Sequence, residues 1–322
     1  MFYYLMKKSK SIVLFLFLIV LLGLAYVKTD GGKQIKGIKI EDNELSGPHI
    51  RATFLDVGQG DATLLRFPDG SDMLIDCGKD SRVLTALGRA LPSSDKTIEY
   101  LIITHPDLDH YGGCIDVLNR FDVKMIAYTG YEKEEGGAYD IFLEKAEGER
   151  AVTRLIQKRE MWDIASTTVD FLYPDHDAAL DPSIPGIPTK DESNNTSLIM
   201  RIALGTSDML LTGDMGVDLE THLVKTYGDI LDVDVLKVGH HGSAGSSGEE
   251  FLSAVTPDYA VISVGKNNGY GHPTARVLKR LERVGATILR TDEMGDISFL
   301  LTGDSVEEQY SNESRSQDSR KK

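Results

Sequence analysis

The chain has 322 residues, 35 Lys and Arg against 50 Asp and Glu, and a formal net charge of −15 at pH 7. That balance excludes a protein that coats nucleic acid through its overall charge. Cys77 and Cys114 are the only cysteines, too few for a disulfide framework, so the domain stands on its apolar core; the sequence leaves open whether they pair.

In chain order, residues 1–27 read as a signal peptide or membrane anchor. Lys7, Lys8 and Lys10 precede an uncharged, almost wholly apolar run from Ser11 to Val27. As a helix this run spans roughly 25 Å, short for a ~30 Å hydrocarbon core yet longer than the ~7–15 apolar residues of a signal peptide. Gly23-Leu24-Ala25 offers a small-x-small cleavage site. The remainder is therefore expected on the extracellular face of the membrane, or secreted after cleavage near Ala25. Residues 28–48 are polar and Gly-rich and read as a linker. Residues 49–303 suffice for one large domain, and 304–322 form a polar tail expected to be disordered.

Within the domain, strand-like runs fall at 49–56, 61–67 and 72–76, joined by Gly-rich turns. A helical stretch at 80–91 leads to an apolar strand at 99–104 that runs into His105. Further strands are predicted at 123–128, 168–173, 196–203 and 208–212, then a helix near 216–227. The runs at 233–238 and 259–264 are continuously apolar, as in strands buried on both faces. A helix at 273–284 and strands at 286–291 and 296–301 follow. Strands alternate with helices in both halves, the pattern of an α/β protein with two sheets between helix layers. Pro174 to Asn195 reads as a long surface loop.

The chemistry gathers just past strand ends, where α/β proteins assemble sites. His105, Asp107, Asp109 and His110 place two imidazoles and two carboxylates within six residues. Such a group needs a cation to avoid repulsion or unsatisfied burial, and the donors suit zinc, manganese or iron. Asp214 ends the strand at 208–212, His240 and His241 end the next, and His272 follows the one after. The pentapeptide LLTGD occurs at 210–214 and again at 300–304; no histidine follows the second copy, so Asp304 reads as a turn residue.

At these residues the chain resembles the metallo-β-lactamase fold superfamily, and more narrowly its ComEC-like group of DNA-uptake proteins. The shared features are Phe54 to Asp61 (FLDVGQGD), Asp76-x-Gly78, the Thr104 to His110 run, Asn195-x-Ser197-Leu198, LLTGD at 210–214 and HHGS at 240–243. The resemblance covers about residues 50–300 and implies an αββα sandwich with the site on one edge. Asp107 stands where most members have a second histidine, and no histidine lies near Asn194 and Asn195. One metal position is thus rich in oxygen, which shifts preference from zinc toward manganese.

The expected site holds two divalent ions, Zn or Mn. His105 and Asp107 hold one, Asp109 and His110 the other, Asp214 bridges, and His240 or His272 completes the shell. Asp109 and His241 are the expected catalytic residues, the latter as proton donor to the leaving oxygen. Asn195, Ser243, Arg276 and Arg280 are expected to bind substrate; the last two belong to a basic stripe with Lys279 and Arg283. Two ions clamp an in-line displacement at phosphorus, so the expected substrate is a phosphodiester, with extracellular DNA the first reading. A cell-envelope phosphoesterase of the teichoic-acid type, or a non-catalytic partner with a structural metal, are the alternatives. No protein partner follows from the sequence.

Overall fold

Side-chain alternation within the strands sets the layering. In the first strand, β1 (Ile50–Phe54), Ile50, Ala52 and Phe54 enter one apolar cluster, and the residues just past it, Leu55 and Val57, enter another. Met73 and Ile75 of β3 (Asp72–Ile75) face the first cluster and Leu74 the second, as a period of two requires. The computed structural model describes residues 47–133, 137–148, 150–188 and 193–309. The expected signal or anchor at 1–27 and nearly all of the linker lie outside the described residues. Among the described residues, no helix is long and apolar enough to cross a membrane.

The first sheet has eight strands: β1, β2 (Thr63–Arg66), β3, β4 (Thr97–Ile102), β5 (Asp122–Tyr128), β6 (Val152–Leu155), β14 (Ile297–Leu301) and β15 (Val306–Gln309). Their order is β15-β14-β1-β2-β3-β4-β5-β6. The second has seven: β7 (Glu160–Ile164), β8 (Thr167–Tyr173), β9 (Ile199–Leu204), β10 (Ser207–Leu211), β11 (Val235–Lys237), β12 (Tyr259–Ile262) and β13 (Thr287–Arg290). Its order is β13-β12-β11-β10-β9-β8-β7.

Helices α1 (Arg82–Ala90), α3 (Cys114–Arg120) and α4 (Ala138–Gly148) supply apolar residues to the outer face of the first sheet. Helices α5 (Val217–Tyr227), α6 (Glu249–Val255) and α7 (Ala275–Val284) do so for the second. The central cluster lies between the sheets, so the layers are helix, sheet, sheet, helix: the expected αββα sandwich. One short helix, α2 (Leu108–Tyr111), carries part of the site.

The domain extends beyond the expected boundary at residue 303. Val306–Gln309 pair antiparallel with β14, so backbone hydrogen bonds hold a segment with too few apolar residues to bury a core of its own. Asp304 sits in the turn between these strands and accepts a hydrogen bond from Thr302 Oγ1 at 2.9 Å. Cys77 and Cys114 form a disulfide with their Cα atoms 5.2 Å apart.

Phe299 closes the interior between the sheets, with ring centroids 6.1 Å from Phe54 and 5.1 Å from Tyr259. Phe299→Ala should lower unfolding stability by about 3–5 kcal/mol, through lost burial and the cavity left behind. Urea unfolding measures the loss, and metal content of the folded fraction should be unchanged.

Candidate metal centre

Sequence adjacency brings His105, Asp107, Asp109 and His110 together, and the strand ends of the second sheet bring the rest. Asp214 follows β10, and His240 and His241 follow β11, the strand parallel to it. His240 and His241 both take left-handed backbone conformations, with φ of 46° and 53°. Such strain is found where the surroundings over-determine a functional geometry. Gly242 continues the turn at φ +80°, and a Cβ there would meet Pro273 Cβ at 2.6 Å, so only glycine lets the 272–273 segment approach. Gly60 permits the other close approach: its Cβ would lie 2.2 Å from the Asp109 carbonyl oxygen.

Three buried imidazoles share one arrangement, with Nδ1 tied behind and Nε2 turned forward. His110 Nδ1 donates to Asp76 Oδ2 at 2.7 Å, and that carboxylate also accepts from Thr104 N and Oγ1 at 2.8 and 2.7 Å. His105 Nδ1 lies 3.1 Å from Thr104 Oγ1. His241 Nδ1 donates to the Ser263 carbonyl at 2.9 Å, with Asp61 Oδ1 at 3.2 Å. The forward nitrogens converge on Asp214, at 3.2 Å from His110, 3.5 Å from His241 and 4.0 Å from His105. Asp109 Oδ2 lies 3.3 Å from His241 Nε2.

The Nε2 atoms of His105, His110 and His241, together with Asp214 Oδ1, are buried without a hydrogen-bond partner. Orphaned buried polar atoms are costly, and a divalent cation among imidazole and carboxylate donors removes the cost. The residues present therefore fit metal. Two of the groupings able to hold an ion are His105 with His110 and Asp214, and Asp109 with His110 and His241.

The charges of the centre lean on one another. Burial opposes protonation of His110, yet Asp214 and Asp76 push it well above its usual range. His241 is pushed up to about 10 by Asp214 and Asp61, again against burial. His105 is lowered by burial and by the neighbouring His110. Asp214 would rise through burial, but His241 and His110 hold it well below the usual carboxylate range.

The structure brings some expected residues inward and leaves others outside. His241 rather than His240 enters the inner cluster; His240 is one-third exposed, its Nε2 3.8 Å from Asp214 Oδ2. The left-handed turn buries the second imidazole and leaves the first at the mouth, so the inner position expected of His240 is taken by His241. His272 stacks one ring further out, 5.8 Å from His240, and joins none of the groupings able to hold an ion. Asp107 Oδ2 lies 3.7 Å from His105 Nε2, while its Oδ1 is engaged by Ser193 Oγ at 2.6 Å and Lys133 Nζ at 3.2 Å.

Asn195 is buried in a 3-10 turn at Asn194–Thr196. Ser243 Oγ accepts from Gly245 N at 3.3 Å. Arg280, expected on the substrate side, folds back instead and donates to the carbonyls of Ser246 and Ser247 at 3.2 Å. Arg283, exposed like Arg276 and Lys279, pairs with Glu249 at 2.5 Å.

Several contributors carry no assignment from sequence. Lys237 is buried and pairs with Asp61 at 2.6 Å beneath His241. Glu220 accepts from the backbone nitrogens of Ser247 and Gly248 at 2.5 and 2.7 Å, and burial pushes its carboxyl up to about 7. Asp61 and Asp76 do lie in recognised motifs, the only signal that could mark them. The disulfide joins the residue after Asp76 to the start of α3, four residues past His110.

Comparison with known proteins gives a family model described as the Metallo-beta-lactamase superfamily, matching residues 55–266. ComE operon protein 3 of Bacillus subtilis is 32% identical over 263 residues, covering 76% of this chain and 32% of that protein. Recombination protein 2 of Haemophilus influenzae is 31% identical over 269 residues, covering 82% and 30%. This chain thus spans about a third of the length of these curated relatives. Among solved structures, the diiron β-hydroxylase CmlA of Streptomyces venezuelae aligns with a TM-score of 0.48 at 15% identity, covering 80% of this chain and 54% of that one.

Two measurements test the centre. Asp214→Ala and His241→Ala should each lose bound metal by elemental analysis, while His240→Ala should retain most of it and Asp304→Ala all of it. Since His110 and His241 hold protons tightly when no cation is present, metal binding must release them, and affinity should rise with pH. Calorimetry in buffers of differing ionisation enthalpy should therefore show net proton release.

Proposed function

Because the chain belongs to the metallo-beta-lactamase superfamily and presents His and Asp clusters fit for metal, we propose that it is a metal-dependent phosphodiesterase acting on extracellular nucleic acid. The observation that carries the reading is the buried Asp214, faced by three imidazoles and placed to be shared by two cations. Asp109, His110 and His241 would hold one ion with Asp214, and His105 with Asp107 the other. The second position is richer in oxygen, which favours manganese over zinc. When bound, two divalent ions supply water acidified to near neutrality and neutralise charge on both oxygens of a displacement at phosphorus.

The chain's own residues do the remaining work. Asp76, Thr104 and the Ser263 carbonyl hold the imidazole rings so that each Nε2 faces inward, as outer-shell partners of metal ligands do. His240 stands at the mouth with its Nε2 toward Asp214, in position to deliver a proton to the leaving oxygen. Lys133, beside Asp107, and Arg276 offer cations to the phosphates on either side. A carboxylate at position 214, where thiolate would favour softer ions, suits phosphate chemistry over β-lactam or thioester hydrolysis.

Nucleic acid as substrate is supported by the name of the Haemophilus influenzae relative, which speaks of recombination. An extracellular location is supported by the lysine-flanked apolar run at 11–27 and by the Cys77–Cys114 disulfide, since such bonds persist in oxidising compartments. The deciding experiment presents the metal-loaded chain with DNA, RNA, a teichoic-acid polymer and a β-lactam. Cleavage of the nucleic acids is expected. Cleavage of the wall polymer alone would replace this reading with an envelope phosphoesterase. On DNA, Arg276→Gln with Lys279→Gln should weaken binding and reduce the salt slope by about 0.9 for each phosphate no longer neutralised.

A further inference from the structure

Next to the centre lies a surface feature that the metal chemistry does not use. Tyr270 is 71% exposed, and among the described residues it is the one exposed aromatic side chain. Its position is fixed by the backbone around it. Asn268 Oδ1 accepts from the backbone nitrogens of Tyr270 and His272 at 3.2 and 3.1 Å. Asn268 Nδ2 donates to the carbonyls of Gly265 and His272 at 3.1 and 2.6 Å. Both ends of one side chain thus brace the turn that displays the ring.

The ring also has a seat. Tyr270 stacks on His272 with centroids 5.8 Å apart and planes within 24°. His272 packs edge-on against His240 at 5.8 Å, and His240 Nε2 is 3.8 Å from Asp214 Oδ2. A ladder of rings therefore runs from the shared carboxylate to solvent and ends on an open aromatic face. Helix α7 begins three residues beyond His272, and its exposed Arg276 and Lys279, three apart, share one face.

Resting on the nucleic-acid reading above, the geometry points to Tyr270, seated on His272, as the stacking platform for the nucleobase beside the scissile phosphodiester. A base can lie on a side chain only when its own face is free, so the substrate is a strand with unpaired bases. The phosphate at the metals, the base on the ring and the next phosphates along Arg276 and Lys279 form one continuous track. Stacking is indifferent to base identity, so this subsite selects single strands without selecting sequence.

The test uses the full chain with a labelled thymidine oligonucleotide and an abasic strand of equal length. Binding and cleavage are both read with manganese present, binding by fluorescence anisotropy on strands with hydrolysis-resistant linkages. Wild type should favour the base-bearing strand. Tyr270→Ala should weaken that binding by about 5- to 150-fold, raise KM similarly and leave kcat within about two-fold. The abasic strand should be bound and cut equally by both, and Tyr270→Phe should behave as wild type. Equal losses on both strands, no loss on either, or stronger binding of duplex would each overturn the platform while leaving the phosphodiesterase reading intact. A wild-type chain that cuts neither strand but degrades a wall polymer would overturn both.

Discussion

Asp214 is the constraint on which the centre depends. It is 3% exposed, and three imidazole nitrogens converge on it from two different sheets. Asp61, Asp76, Asp107 and Asp109 lie in the same neighbourhood, with Lys237 the one buried lysine there. Burying carboxylates together is costly unless positive charge joins them, and removing a partner leaves an uncompensated ion. The carboxylates push the His110 and His241 imidazoles toward their charged forms, and a cation in the cluster would supply the same positive charge. The same residues thus serve stability and metal binding, through one electrostatic requirement.

That requirement explains the outer ring of contacts. The Asp61–Lys237 pair crosses from the β1–β2 connection to the end of β11, tying the two sheets together beneath His241. A buried ion pair is poor evidence for stability, because desolvation offsets most of the attraction. Asp61 Oδ1, 3.2 Å from His241 Nδ1, gives the pair a different use, to help hold that ring. Glu220 and Arg280 hold the segment that follows this turn, one through the nitrogens of Ser247 and Gly248, the other through the carbonyls of Ser246 and Ser247. The left-handed residues themselves are held by His240 N donating to the Gly213 carbonyl at 3.2 Å, Ser243 N to the His240 carbonyl at 2.8 Å and the His241 ring to the Ser263 carbonyl.

Much of this was legible in the sequence. Apolar runs ending in His105, Asp214 and His240 marked the strand ends, because buried strands must be apolar and their mouths need not be. The His240–His241 assignment was not legible, since adjacent residues in left-handed conformation send their side chains where no regular period predicts. Helical periodicity placed Arg280 on the polar face correctly, but could not show that its guanidinium turns back onto a loop more than thirty residues earlier in the chain. Strands β6 and β7 lie at sheet edges; every residue of β6 is exposed, so neither alternation nor an apolar run announced it. β15 carries only one apolar residue, Val306, so its place in the sheet rests mainly on backbone pairing that no apolar pattern marks.

The acidity of the chain bears differently on the centre than on the whole. A net charge of −15 acts on a distant polyanion, but at physiological ionic strength exposed charges are screened beyond about 8 Å. A strand at the mouth therefore meets the local field, set by Lys133, Arg276, Lys279 and whatever cations the carboxylates hold. Without cations that field is negative around Asp107, Asp109 and Asp214. On the proposed reading, two divalent ions would reverse its sign where a phosphate would sit. Metal loading would then govern substrate approach as well as chemistry, while the acidic remainder of the surface would disfavour binding elsewhere.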